Sequence, residues 1–372
     1  VYVDAAILPA QALSAQDIHD AVAGSMKNAG YDAATDSITP EQAGAEFDVA
    51  EAQALLDAAS PGETVEIPAD IQQPHVTAAE LKDVLFRDVL GQCRTHVSGT
   101  SARINNVKLS AAACNGVVLN TGDVFSYNAT TGQRTTAKGY QAAPAYVGGE
   151  TVDEVGGGVC QTSSTIYYAC LRANLEITER YAHRYVPAYI DWGMDATVSW
   201  GGPDYKFTNN TDYPIKIVAT YSGGYLTVKI LGTNVDGTYV KMTNEVLSKT
   251  DWETVYKDDE TLPAGTEKVT TTPYTGYKVK SYRNVYSADG KLISSTYEAT
   301  SDYKVRNKVI SRGPALPEQP ETPVTGPAET PVETPTEIPE ETTPSTTTPE
   351  TSIPDPSQEQ TQTPAQETPA EP

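Results

Sequence analysis

The sequence predicts an α+β protein: a small N-terminal α+β domain (1–91), a central α+β domain (92–242), an elongated all-β C-terminal module (243–313) and a disordered tail (314–372). Three features predict this. Up to about residue 242, capped helical segments alternate with short β-rich runs. From Thr243 to Gly313 the periodicity becomes that of strands, with a hairpin signal at Asp289-Gly290. From Pro314 onward, fifteen prolines fall within 59 residues that offer almost nothing apolar to bury.

In order, Ser14-Ala15-Gln16-Asp17 is a helix start, and Ile18, Val22 and Met26 mark one face of a helix running to Gly30. A second helix begins at Asp48, with Leu55 and Leu56 facing inward. Pro61-Gly62 turns the chain into a strand at Thr64–Ile67. A third helix opens at Thr77 with Glu80 completing a capping box, and Leu81, Val84, Leu85 and Val89 form its stripe. His19 and His75 read as surface or cap residues.

In the central domain, Ala102 to Cys114 is a helix stopped by Gly116. Val117–Leu119 and Val124–Tyr127 are strands around the Asn120–Asp123 turn. A further helix spans Gln161 to about Ala173, and a strand at Leu175–Tyr181 leads into His183. Lys206-Phe207 and Ile215–Tyr221 are expected to pair with Leu226–Leu231 across Gly223-Gly224. In the C-terminal module, Asp289-Gly290 joins Arg283–Tyr286 to Leu292–Tyr297.

The net charge of −23 is concentrated in the tail, where Pro314 to Pro372 holds twelve acidic residues and no Lys or Arg. No basic cluster with interleaved aromatics occurs, which argues against nucleic acid as a partner. Four cysteines without a CxxC pair suggest neither a disulfide scaffold nor zinc. No metal or cofactor is expected. Cys93 and Cys114 form one bridge if the protein is exported, and are otherwise two unpaired core thiols. No run is long enough to span a membrane and no signal peptide opens the chain, although the start at Val1-Tyr2-Val3 leaves room for an upstream signal or membrane anchor. The composition, rich in Tyr, Thr, Asn and Gly, suits an exported protein.

The chemistry centres on Gly156-Gly157-Gly158-Val159-Cys160-Gln161. Glycines allow a sharp turn or close approach of backbone to a ligand, and Cys160 falls on the first helical turn, where N–H groups favour a thiolate. On spacing alone, a small buried cysteine behind a glycine turn is the simpler reading. A nucleophile needs a base and a group to orient it. His183 is the one histidine after Cys160, and His96 competes with it. Asp195, or Asp191, could orient the imidazole, and Arg180 and Arg184 could bind a carboxylate.

Several blocks in order resemble the VanW family between about Thr95 and Leu231. They are Ala102-Arg103-Ile104-Asn105-Asn106, Gly122 to Asn128, Gly132-Gln133-Arg134-Thr135, Gly139-Tyr140, Gly156 to Gln161, and Glu179-Arg180 with His183. Gly193 with Asp195–Val198, and Asp204 with Phe207 and Asn209, complete the match. Residues 1–91 resemble the peptidoglycan-binding-like domain that often precedes it, at Gly44–Asp48. Residues 243–313 are similar to the five-glycine wall-associated module, at Leu262–Gly265, Gly276-Tyr277, Asp289-Gly290 and Gly313, with Thr271 where a glycine is expected.

The resemblance implies a peptidoglycan L,D-transpeptidase, with Cys160 attacking the stem-peptide carbonyl before a terminal D-Ala and forming a thioester. It implies His183 as general base and Asp195 as its orienting group. Gly157, Gly158 and Gln161 would line the oxyanion and substrate side, with Arg180 and Arg184. Peptidoglycan stem peptides are the expected partner, for a monomer in the cell envelope of a Gram-positive bacterium. A cell-wall cysteine peptidase working in the NlpC-like direction, and a non-enzymatic wall-binding or scaffold protein, are the alternatives.

Overall fold

The computed structural model describes residues 14–22, 24–147 and 150–316. Helices and sheets are mixed through the first two thirds, and the described residues after Tyr239 are all β. The expected tail from Pro317 and the chain start at Val1-Tyr2-Val3 lie outside the described residues.

The N-terminal part holds helices α1 (Ala15–Val22), α2 (Val49–Ala58) and α3 (Ala78–Val84). Two small antiparallel sheets accompany them, Gly30–Asp32 with Ser37–Thr39 and Gly44–Glu46 with Asp70–Gln72. The expected caps form. Asp48 accepts from the N–H groups of Ala50 and Glu51, and Thr77 and Glu80 close a capping box.

Several boundaries differ from expectation. Helix α1 ends at Val22, because Gly24 bridges to Ala45 and Lys27 to Gln42, so Met26 leaves the helix. Leu55 faces solvent. No strand forms at Thr64–Ile67; Pro68 cannot donate to a ladder, and pairing starts beyond it at Asp70. Helix α3 stops at Val84, and Phe86 in the left-handed region turns the chain into a strand that sequence reading missed, Asp88–His96, which carries Val89.

That strand opens the central sheet. The order is Asp88–His96, Tyr225–Gly232, Ile215–Ser222 and Val118–Leu119, all antiparallel. Ile215–Ser222 and Tyr225–Gly232 form the expected hairpin across Gly223-Gly224. Lys206–Thr208, however, pairs elsewhere, between Val124–Ser126 and Glu176–Glu179. A hairpin of Ala142–Val147 and Glu150–Val155 also had no reading in the sequence.

Helices α4 (Ser101–Cys114), α5 (Tyr127–Thr131) and α6 (Cys160–Arg172) complete this part. Helix α6 lies against the Asp88–His96 and Tyr225–Gly232 strands and forms the centre of the main core, with Ile166, Tyr167, Cys170 and Leu171 fully buried. Its approach requires Gly91: a Cβ there would stand 2.2 Å from the Ala169 carbonyl oxygen.

The C-terminal strands form two sheets. Tyr239–Thr250, Gly276–Tyr286 and Leu292–Tyr303 are antiparallel, with the expected turn at Asp289-Gly290. Lys308–Arg312 lies between Thr254–Asp258, parallel to it, and Glu267–Thr271. This module packs on the segment after α6. Trp192 stacks on Tyr277, Tyr185 on Tyr274, and Arg283 donates to the Leu175 carbonyl at 2.8 Å.

Candidate active site

Cys160 is the first residue of α6, and no side chain caps this helix. The positive end of its dipole therefore lies at the thiol, while the Gln161, Thr162 and Ser163 N–H groups bond to the Gly158 and Val159 carbonyls. The glycine loop before it is packed by protein. Gly156 and Gly158 have positive φ, and a Cβ on Gly157 would lie 2.1 Å from the Ala143 carbonyl oxygen. A Cβ on Gly158 would meet Arg103 Cγ at 2.7 Å. These glycines let the chain turn tightly into α6 beneath Ala143 and Arg103; the space their missing side chains leave is filled from within.

The residues after Cys160 are polar yet fully buried, and each hydroxyl is used. Ser163 Oγ donates to the Ala196 carbonyl at 2.7 Å, and Ser164 Oγ accepts the Ala196 N–H at 3.0 Å. Thr162 and Thr165 bond to Ser110 and Thr95. Two serines thus hold the segment 195–198 against α6. The result is local: Val198 N–H points at Cys160 Sγ from 3.5 Å, and Thr197 Oγ1 lies 3.8 Å from it.

His183 stands in the loop after Glu176–Glu179, near enough to Cys160 for the two groups to shift each other's protonation, while Sγ itself lies 3.3 Å from the Val198 carbonyl. Asp195, with no exposed surface, faces its other side. Oδ2 of Asp195 is 2.6 Å from His183 Nδ1 and 2.7 Å from the His183 backbone N. An ionised carboxylate only accepts, so Nδ1 carries the proton and Nε2 is left to the other side of the ring. Tyr189 Oη lies 3.5 Å from Nε2. Oδ1 of Asp195 takes Arg180 Nη2 at 3.0 Å and Tyr303 Oη at 2.5 Å.

The electrostatics separate Cys160 from the other cysteines. Burial pushes Cys93, Cys114 and Cys170 up to about 12. Burial pushes Cys160 up as well, but the bond to His183 and its charge outweigh this, aided by Val198 and Thr197, and the thiol ends below its ordinary value. For His183 burial works downward, and the bonds to Asp195 and Cys160 overcome it, raising the ring to about 9. Burial raises Asp195, yet His183, Arg180 and Tyr303 hold it well below the usual carboxylate range. The combination favours thiolate beside imidazolium.

The other sequence candidates fall in different places. His96 is exposed, edge-on to Tyr225, with its carbonyl accepting from Gln161 Nε2. Asp191 receives Tyr168 Oη at 3.4 Å. Arg180 is turned inward: its side chain is 7% exposed and committed to Asp195, so it orients the carboxylate instead of waiting for a ligand. The Arg184 guanidinium lies beside Tyr185. Gln161 is buried, tied to Arg103, Thr95 and the His96 carbonyl, and braces the loop. Cys93 and Cys114 do not form the possible bridge; both are buried free thiols.

Three contributors escaped sequence reading. Tyr303 lies far down the chain, the Ser163-Ser164 pair looked like ordinary helix polarity, and Arg103 sits on α4. A run of five polar residues, Gln161 to Thr165, at the start of a core helix was the signal available for the serines.

The fold thus brings together Cys160 at a helix start, the His183 imidazole near it and the buried Asp195 carboxylate behind that imidazole. Comparison with known proteins gives its setting. The family described as VanW like protein matches residues 102–231, and the G5 domain family matches 241–315. The chain therefore carries a VanW-like domain followed by a G5 domain.

The uncharacterized protein YoaR of Bacillus subtilis (strain 168) is 41% identical over 172 residues, covering 46% of this chain and 56% of YoaR. The Vancomycin B-type resistance protein VanW of Enterococcus faecalis (strain ATCC 700802 / V583) is 29% identical over 123 residues, covering 32% of this chain and 45% of that protein. The chain spans about half the length of these curated relatives. Among solved structures, an IgA1 protease G5 domain is similar at 18% identity, over 22% of this chain and 98% of that one, with a TM-score of 0.16. Among the described residues, no helix is long and apolar enough to cross a membrane.

Proposed function

We propose that this protein is a peptidoglycan-directed cysteine acyltransferase of the L,D-transpeptidase type, secreted to the cell wall and working on stem peptides. The observation that carries the reading is the Cys160–His183–Asp195 array, in which one of four thiols is held below its ordinary value while burial drives the other three up to about 12.

In the proposed cycle, the Cys160 thiolate attacks the carbonyl carbon before the terminal D-Ala of a donor stem. Charge developing on the carbonyl oxygen is met by the Cys160 N–H and the positive dipole end at the start of α6. The C–N bond breaks, the His183 imidazolium gives its Nε2 proton to the departing amine, and a thioester remains. The side-chain amine of an acceptor stem then attacks the thioester carbon and yields a proton to His183, the new amide forms, and the thiolate leaves. Asp195 keeps the proton on Nδ1 throughout and stabilises the imidazolium, as in other triads. Residues 1–91 and 243–313 would hold the central domain on the wall.

The test is product analysis with purified stem tetrapeptides. Free D-Ala together with dimeric cross-linked products supports transfer. Soluble shortened stems without dimers redirect the same residues to a cysteine peptidase. Neither product, with sacculus binding unaffected by Cys160→Ala, leaves a non-enzymatic wall-binding protein.

A further inference from the structure

Asp195 is held by residues from two parts of the chain. Arg180 comes from the loop before His183, whereas Tyr303 ends the strand Leu292–Tyr303, 108 residues beyond Asp195 and inside the G5 match. Tyr303 is 2% exposed, and its hydroxyl works twice: it donates to Asp195 Oδ1 at 2.5 Å and accepts the Gly193 N–H at 2.7 Å. Two residues earlier on the same strand face, Ser301 Oγ accepts from Arg180 Nη1 at 3.0 Å. One strand of the C-terminal module thus touches both members of the buried Arg180–Asp195 pair.

The chemistry of the contact is specific. A phenol is neutral, and it both donates and accepts. It fixes Oδ1 without adding charge, leaving Oδ2 for the His183 ring and backbone. Module docking has other contacts of its own: the Trp192–Tyr277 and Tyr185–Tyr274 stacks, and Arg283 on the Leu175 carbonyl. The Tyr303 hydroxyl is therefore not needed simply to hold the module in place.

We propose that the C-terminal β module is a working part of the active site, with Tyr303 the positioning residue that fixes the Asp195 carboxylate for His183. This rests on Cys160–His183–Asp195 acting as a nucleophile array and does not depend on the substrate. It makes the VanW-like and G5 regions chemically inseparable. A chain cut before the module keeps Cys160, His183 and Asp195, but leaves the Gly193 N–H without this acceptor and Arg180 without Ser301.

The experiment is alkylation of Cys160 by iodoacetamide across pH in the full chain, followed by peptide mass spectrometry. It compares the native protein with Tyr303→Phe and Tyr277→Ala. Tyr303→Phe keeps the ring and removes the hydroxyl; Arg103, Tyr127, Tyr189 and His183, the titratable groups that interact electrostatically with the thiol, are unchanged. The expected result is a rise of about one pH unit in the thiol midpoint, or an about tenfold slower reaction at neutral pH, in a protein that still folds, with a melting temperature lowered by the unpaired Gly193 N–H.

Tyr277→Ala loosens docking and is expected to leave the midpoint in place. Placing 4-aminophenylalanine at position 303 restores an N–H donor and should return the midpoint close to native; should Tyr303→Phe not fold, 3-fluorotyrosine at position 303, which keeps the shape and makes the hydroxyl more acidic, decides against the native chain, a displaced midpoint supporting the proposal and an identical one overturning it. An unmoved midpoint in folded Tyr303→Phe, or an equal shift in Tyr277→Ala, overturns the positioning role. A shifted midpoint in a protein that turns over no stem peptide supports the positioning role while removing the proposed substrate.

Discussion

Replacing His183 by Ala isolates what holds the Cys160 thiol down. Four cysteines share one chain, and three show what burial alone does, each standing at about 12. Cys160 differs in having its thiol lowered by the nearby His183. Without the ring, Val198 N–H and Thr197 Oγ1 remain, both at long range, and burial governs. A rise from below 9.0 towards about 12 cuts the thiolate fraction at pH 7 by up to about a thousandfold or more. The assay is iodoacetamide alkylation followed at the Cys160 peptide, with Cys93, Cys114 and Cys170 as buried internal controls. The expected outcome is a Cys160 rate in His183→Ala that collapses while the fold melts normally. Alkylation at the native rate would refute the argument, because the helix N-terminus alone would then account for the thiol.

Asp195→Asn leaves the Arg180 guanidinium buried without its anion, so it is expected to cost about 3–5 kcal/mol in denaturant unfolding as well as reactivity at Cys160. Gly157→Ala drives a methyl group into the Ala143 carbonyl, and calorimetry should find a loss of about 1–3 kcal/mol with displaced thiol chemistry. Gln161→Ala strips partners from half-buried Arg103 and buried Thr95 and should destabilise by about 1–3 kcal/mol by the same measurement. The pH dependence has a definite sign. His183 must be protonated to release the amine, and its ring is raised to about 9, so kcat/KM for acylation should fall as pH rises through about 9. A limb near 6.5 would show an unpaired histidine.

Local signals carried much of the fold. Capping at Asp48 and Thr77, the Gly116 stop of α4, and the Gly223-Gly224 and Asp289-Gly290 hairpins depend on residues within a few positions, and they were legible. What failed depended on distant partners. Lys206–Thr208 chose Val124–Ser126 because pairing is decided by the whole sheet, and Asp88–His96 was hidden behind a helical stripe that ends at Val84. The site divides in the same way. Cys160 announced itself through the glycine loop, and His183 was the sole histidine downstream. The structure joins His183 to Asp195. Arg180 was legible as a functional arginine but not in its direction, since a sequence cannot tell a guanidinium aimed at a ligand from one buried on a neighbouring carboxylate. Tyr303 had no local mark at all. Its role exists only because the C-terminal sheet folds back onto the loop at Gly193.

The central claim is that Cys160 is an acylating nucleophile for stem-peptide-like carbonyls. Its most direct test is intact-mass spectrometry of the full chain after exposure to a carbapenem, with the modified peptide mapped. The account predicts one covalent adduct, carried on Cys160, and absent from Cys160→Ala and from His183→Ala. An unmodified protein that also fails to release D-Ala from a stem tetrapeptide, or an adduct on any other residue, would contradict it.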